Sequence, residues 1–156
     1  MTTNVIQFWR TGDCFTTTDS RNPPPRKMRN SELRSREYLT EYEVERLMTA
    51  ARNTGRHGHR DATLILLAYR HGLRVSELVA LRWDQVDLSV GTIHINRLKN
   101  GIPSVHPLRG PELRALRRIR REYSGPYVFV TDRKGPMTSS GIRKIIARAG
   151  SIATMG

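Results

Sequence analysis

Cysteine is almost absent from this sequence. Cys14 is the only one, so no disulfide can close within the chain, and a reducing compartment fits that usage. Cys14 lies in a polar stretch far from any matching histidine pair, which makes it an incidental thiol. Long apolar runs are missing too: nothing reaches the roughly 18 residues a transmembrane helix requires. Met1 to Phe15 has no apolar core of secretory type, so the cytoplasm is the expected compartment. Lysine is scarce, at Lys27, Lys99, Lys134 and Lys144 alone among 27 basic residues. There is no internal repeat.

What the chain has is arginine. The 27 basic residues face 14 acidic ones, for a net charge of +13. Arginine favours forked contacts to phosphate, so a basic, arginine-rich domain points to a polyanionic partner, most simply nucleic acid. Charge alone fits an RNA-binding or ribosome-associated protein equally well. The 156 residues suffice for one domain with a real core.

Residues 1–36 differ from the rest. They hold Thr16-Thr17-Thr18, Pro23-Pro24-Pro25 and the basic cluster Arg26-Lys27-Met28-Arg29, with little apolar periodicity. This reads as an extended or mobile basic arm, either a solvated tail or a DNA-contacting one through Arg26, Lys27 and Arg29. Order begins at Leu39. Thr40-Glu41-Tyr42-Glu43 has the form of a capping box, with Leu39 and Val44 placed as a hydrophobic staple. Val44, Leu47, Met48 and Ala51 then mark one helical face. Gly55 to Gly58 reads as a loop.

From about Arg60 to His71 the sequence is apolar around most of a helix, which places that helix centrally. Gly72 is its expected stop. A second helix, from Arg74 to Leu81, packs through Val75, Leu78, Val79 and Leu81, and Trp83 to Asp87 closes it as a polar turn. The period then changes: Thr92-Ile93-His94-Ile95-Asn96 alternates as a half-buried strand does. Asn100-Gly101 signals a hairpin turn. Ile102 to Leu108 is the return strand, limited to an edge by Pro103 and Pro107. Pro111 suits the first turn of a helix that packs through Leu113, Leu116, Ile119 and Tyr123, while Arg114, Arg117, Arg118, Arg120 and Arg121 crowd its outside. Tyr127 to Val130 is a short buried extended run. Thr138 caps a last helix with Ile142, Ile145, Ile146 and Ala149 on one face and Gly150 as its stop. Residues 151–156 show no pattern. The fold class is α+β, mainly helical with a small antiparallel hairpin or sheet.

Two positions can carry chemistry. Arg74 and Glu77 are helix neighbours. The plain reading is a modest ion pair. In the sharper one, Glu77 holds a guanidinium whose other donors face a phosphate, as phosphoryl transfer requires. Lys99 sits at the hairpin tip, where turns collect lysine; the alternative is a loop delivering an ammonium to a leaving oxygen. His57 and His59 have no carboxylate or cysteine at metal spacing, so no metal site is expected.

Four stretches in order resemble the catalytic domain of tyrosine recombinases, the phage-integrase family. They are Tyr38 to Val44, Gly72-Leu73-Arg74-Val75-Ser76-Glu77-Leu78, Leu81 to Asp87, and Arg97-Leu98-Lys99-Asn100-Gly101. The short basic arm looks most like the small invertases that switch fimbrial promoters. The resemblance implies that Arg74 contacts the scissile phosphate, Glu77 supports it, and Lys99 assists the leaving 5′ hydroxyl. Arg97 joins the arm residues as an expected DNA contact. It also implies strand cleavage and rejoining through a 3′-phosphotyrosyl link, without metal or cofactor, on double-stranded DNA, in the bacterial cytoplasm beside the nucleoid. Neither a membrane nor a small-molecule substrate is expected.

The family pattern continues with a His-x-x-Arg motif, a further His or Trp, and the nucleophilic tyrosine. Here no histidine follows His106, and all five tyrosines (Tyr38, Tyr42, Tyr69, Tyr123, Tyr127) precede that region. The expectation is therefore an arm at 1–36, a partial catalytic domain at 37–150 and a tail at 151–156, binding DNA without a nucleophile of its own. Ile145 and Ile146 are expected to be under-packed. The partners in view are duplex DNA and either a full-length recombinase or a second copy on DNA. Two alternatives stay open: a non-catalytic regulator competing with a full-length recombinase, and a basic RNA-binding protein.

Overall fold

A computed structural model describes residues 38–97 and 101–154. Arg26, Lys27, Arg29 and Lys99 therefore lie outside the described residues. The described elements are five helices and three strands: α1 (Glu41–Asn53), α2 (Gly58–His71), α3 (Val75–Ala80), β1 (Val86–Asp87), β2 (Thr92–Ile95), β3 (Ser104–Pro107), α4 (Gly110–Glu122) and α5 (Ser139–Thr154), with one 3-10 turn at Trp83–Gln85. The sheet runs β1-β2-β3, antiparallel throughout, pairing Val86 with Ile93 and Ile93 with His106. This is the mainly helical α+β class the sequence indicates.

The local reasons are largely those in the sequence. The Thr40 hydroxyl accepts from the Glu43 amide at 3.3 Å, and the Glu43 carboxylate accepts from the Thr40 amide at 2.8 Å, so both orphan donors of α1 are satisfied. Thr138 Oγ1 accepts from the Gly141 amide at 3.0 Å and starts α5. Gly72 ends α2 at φ 59, ψ 39, a left-handed conformation that glycine adopts without Cβ strain.

Two hydrophobic clusters hold the domain. In the larger, Leu64 and Leu67 of α2 meet Leu78, Ile93, Ile95, Leu116, Ile119, Phe129 and Ile142. In the smaller, Val44, Ala50 and Ala51 of α1 close on Ala62 and Ile65 of α2 and Ala149 of α5. Ile146 packs against both, and Ile145 against the larger, so neither is left uncovered as expected. Among the described residues, the buried charged groups are paired. Arg60 donates to Asp61 at 2.7 and 2.9 Å and to the Val130 carbonyl at 2.7 Å, tying α2 to the buried 128–130 segment.

Several elements differ from the sequence-based picture. α2 begins at Gly58, inside the expected loop, where a Cβ would lie 2.0 Å from the Arg52 carbonyl oxygen. Only glycine lets the two helices turn so tightly. α5 runs four residues past Gly150 to Thr154, so Gly150 is not its stop. Its missing side chain faces Leu47, whose Cδ1 would sit 4.0 Å from a Cβ, and packing on α1 carries the helix through. The polar turn after α3 contributes the short strand β1. Tyr127 and Val130 form only isolated bridges, to Arg82 and Pro136, although Val128, Phe129 and Val130 are buried as expected.

Candidate functional site

The junction of α2 and α3 builds a charged corner around Glu77. The left-handed turn at Gly72 reverses the chain, and Arg74 becomes the cap of α3. Glu77, in the first turn of α3, is 2% exposed at its side chain. Its Oε2 accepts from the Arg74 amide at 2.9 Å and from Arg97 Nη1 at 2.9 Å. The carboxylate thus closes the helix start and meets a guanidinium arriving just after β2.

Arg97 does more than pair with Glu77. Nη1 also donates to the Gly72 carbonyl at 3.1 Å, and Nη2 to the His71 carbonyl at 3.4 Å. One fork therefore satisfies the carbonyls that α2 leaves open at its C-terminus, where positive charge is favoured. The expected DNA-contacting Arg97 is turned inward, with a side chain 22% exposed. Arg74 is the reverse case. Its Nη1 lies 3.8 Å from Glu77 Oε1, and its side chain is 56% exposed. So the structure brings Arg74, Glu77 and Arg97 together. Arg97 holds the carboxylate and Arg74 presents its guanidinium outward.

A second polar chain, invisible in the sequence, runs behind this corner. His71, the residue before Gly72, places Nδ1 3.2 Å from His106 Nδ1 on β3 and Nε2 2.9 Å from Glu112 Oε1 on α4. The His71–Glu112 contact is off the ideal hydrogen-bond line, so it acts as an electrostatic contact. His106 Nε2 meets Ser104 Oγ at 3.0 Å, Glu112 Oε2 accepts from the Arg109 amide at 2.7 Å, and Arg70 Nη1 stands 3.5 Å from the same oxygen. With both rings neutral the donors run one way: Ser104 hydroxyl to His106, His106 to His71, His71 toward Glu112. Burial lowers the His71 pKa, with the neighbouring His106 adding to the effect and Glu112 opposing it. The chain links α2, β3 and α4, and it lines an open cavity of about 570 Å³ together with Tyr69 and Pro107. Neither a periodic pattern nor a motif marks it. Its only sequence signal is that histidines immediately precede Gly72 and Pro107.

Two tyrosines, Tyr123 and Tyr127, are engaged within the fold. The Tyr123 hydroxyl lies 2.7 Å from His57 Nδ1, and His57 Nε2 meets Asp132. The pair has the form of a nucleophile with its base, and burial raises the Tyr123 pKa. Tyr127 carries the Arg82 guanidinium over its ring at 5.4 Å. Among the described residues no group of three His, Cys, Asp or Glu is placed to hold a metal. Nor is any helix there long and apolar enough to cross a membrane.

Residues 37–155 match the model of the phage integrase family. The chain is 41% identical over 125 residues to the type 1 fimbriae regulatory protein FimE of Escherichia coli K12, covering 76% of this chain and 63% of that relative. Among solved structures, the XerA recombinase superposes with a TM-score of 0.63 at 25% identity, over 85% of this chain and 46% of that one. A lambda integrase fragment, residues 75–356 bound to DNA, gives 0.62 at 20% identity, over 76% of this chain and 43% of that one. At that identity the lambda likeness concerns the fold. The present chain thus spans a little under two thirds of the length of FimE.

Proposed function

The chain belongs to the phage integrase family, and on that premise we propose that it carries the phosphate-binding half of a site-specific DNA recombinase acting at a regulatory DNA switch. The observation that supports this most directly is the buried Glu77 carboxylate, held by Arg97 at 2.9 Å beneath an exposed Arg74. A buried ion pair is a poor stabilising device. It is a good way to fix the corner from which Arg74 reaches a phosphate. In this reading Arg74 binds the scissile phosphate and stabilises charge on its non-bridging oxygens. Glu77 and Arg97 position it, and Lys99 is the residue we assign to assist the leaving oxygen. Arg26, Lys27 and Arg29 add backbone contacts. The partner is duplex DNA, with copies of the chain or a longer recombinase assembling on it, and the fimbrial regulatory role of FimE suggests inversion of a promoter segment.

For these residues the activity we propose is DNA binding without cleavage; the hydroxyl of Tyr123 and the ring of Tyr127 are engaged within the fold. Gel shifts with duplex DNA and structured RNA over graded salt, beside a suicide-substrate assay, test both parts. Duplex preference without a covalent adduct is expected. Preference for RNA overturns the recombinase reading, and an adduct overturns the claim of binding without cleavage.

A further inference from the structure

The densest positive charge among the described residues has no role in the Arg74 corner. From Arg114 to Arg121, five of eight residues are arginine, and all five are exposed. With about 100° per residue, Arg114, Arg117, Arg118 and Arg121 fan over roughly a quarter of the helix circumference. That quarter is centred opposite Glu112, Leu116 and Ile119, the face that packs inward. Glu112 is the residue through which α4 reaches His71 and the Arg74 corner. The arginine face therefore looks away from what α4 shares with that corner.

This face is arranged against helix stability. Arginines stand three or four residues apart at 114/117, 114/118, 117/120, 117/121 and 118/121, and each such like-charged pair is unfavourable. Among the described residues, the one ion pair made by these side chains is Arg118 with Glu122, at 2.6 Å. A face needed only for solubility mixes both signs. Nor are the side chains loose. Arg117 Nη2 donates to the Leu88 carbonyl at 3.1 Å, and Arg120 Nη1 to the Gly125 carbonyl at 3.2 Å. Arg120 also lies over the Trp83 ring, 5.0 Å from its centre. Arg114, Arg117, Arg120 and Arg121 with Leu88 rim an open depression of about 470 Å³. The acidic groups nearby are engaged: Asp87 accepts from Ser89 Oγ at 2.6 Å, and Asp84 pairs with Arg82 at 3.3 Å.

We propose that this face of α4 is a second docking surface for double-stranded DNA, holding one duplex while the Arg74 corner holds another. The idea of two duplexes rests on the function proposed above. The occupant follows from charge: a polyanion with regularly spaced phosphates relieves the repulsion along the row, and counterion release drives its binding.

The test uses the whole chain and the triple variant R114Q/R117Q/R121Q, since glutamine keeps helix propensity and most of the side-chain length. A duplex fixed to beads is loaded with protein, and capture of a second, fluorescent duplex is measured. The whole chain is expected to capture it, and the triple variant is expected to bind the beads with capture reduced at least tenfold. For the whole chain, the affinity for the second duplex should fall with salt at a log–log slope of about 2 to 3, near 0.9 for each phosphate that the three arginines neutralise. Circular dichroism and thermal melting check that the variant is folded. Undiminished capture by the folded variant, no capture by the whole chain, or capture of structured RNA in preference to duplex DNA each overturns the proposal. R74Q keeps the two readings apart. If adding R74Q to the triple variant leaves its binding to a single duplex unchanged, the corner reading fails, while loss of second-duplex capture in the triple variant still identifies the α4 face.

Discussion

Arg97 Nη1 and Glu77 Oε2 lie 2.9 Å apart although 20 residues separate them in sequence. This pair fastens the strand end after β2 to the start of α3, and the same guanidinium caps two carbonyls of α2. Its removal leaves a carboxylate that is 2% exposed with only the more distant, exposed Arg74 guanidinium at 3.8 Å. Arg97→Ala should therefore destabilise the domain by about 3 kcal/mol, the scale for breaking one side of a buried pair, read as a lowered urea midpoint. Glu77→Gln with Arg97→Gln should recover part of that loss, since no buried charge then stands alone. A loss below about 1 kcal/mol in the single variant would show that water reaches Glu77 easily and that the corner is not fixed by this pair.

Arg74 should behave oppositely. It is more than half exposed, and its guanidinium stands 3.8 Å from Glu77, a separation at which a solvated pair contributes little. Arg74→Gln is expected to leave the urea midpoint within about 0.5 kcal/mol of the parent. It should nevertheless weaken duplex binding and flatten its salt slope by about 1. Equal effects on stability and binding would place Arg74 with the scaffold rather than with the ligand.

The sequence makes the first half of this corner readable and hides the second. Arg74, Glu77 and the Gly72 stop are local, lying within six residues, so capping chemistry and helix spacing expose them. The Arg97 partnership and the His71–His106–Glu112 chain are made by tertiary folding, and no local period marks them. The same division explains the helix limits. Thr40 and Thr138 cap as expected because both partners are three residues away. Gly150 fails as a stop because Leu47, on a distant helix, decides the matter. β1 has no sequence signature because two residues are too short an alternation to register.

Stability should fall on mild acidification. His71 has a folded pKa below its ordinary value of 6.5, chiefly through burial. Between the two values the unfolded chain holds a proton that the folded one lacks, so stability rises with pH across that window. The contribution is complete above about pH 6.5 and is lost as the pH falls toward the folded pKa. The groups facing the ring are His106, Glu112 and Arg70. Urea midpoints at about pH 7.5, 6.5 and 5.5 should decline, with a slope no steeper than about 1.4 kcal/mol per pH unit for one group. His71→Asn should flatten the profile over this range. A variant that keeps the parent's full slope would assign the effect to other groups.

Gly58 and Gly150 give paired predictions of opposite sign. At Gly58 a Cβ would fall 2.0 Å from the Arg52 carbonyl oxygen and 2.7 Å from its carbon. Backbone cannot rotate away as a side chain does, so α1 and α2 must separate at their turn. Gly58→Ala should then destabilise by more than about 2 kcal/mol, in the range of overpacking. Gly150 lies inside α5, where glycine costs about 0.5–1 kcal/mol relative to alanine. Its nearest neighbour across the helix pair is Leu47 Cδ1, 4.0 Å from the new Cβ, an ordinary van der Waals contact. Gly150→Ala should therefore stabilise by about 0.5–1 kcal/mol and raise the melting temperature by a few degrees. If Gly150→Ala instead lowers it, α5 does not run on through Gly150 in solution, and the seating of that helix on α1 would have to be abandoned.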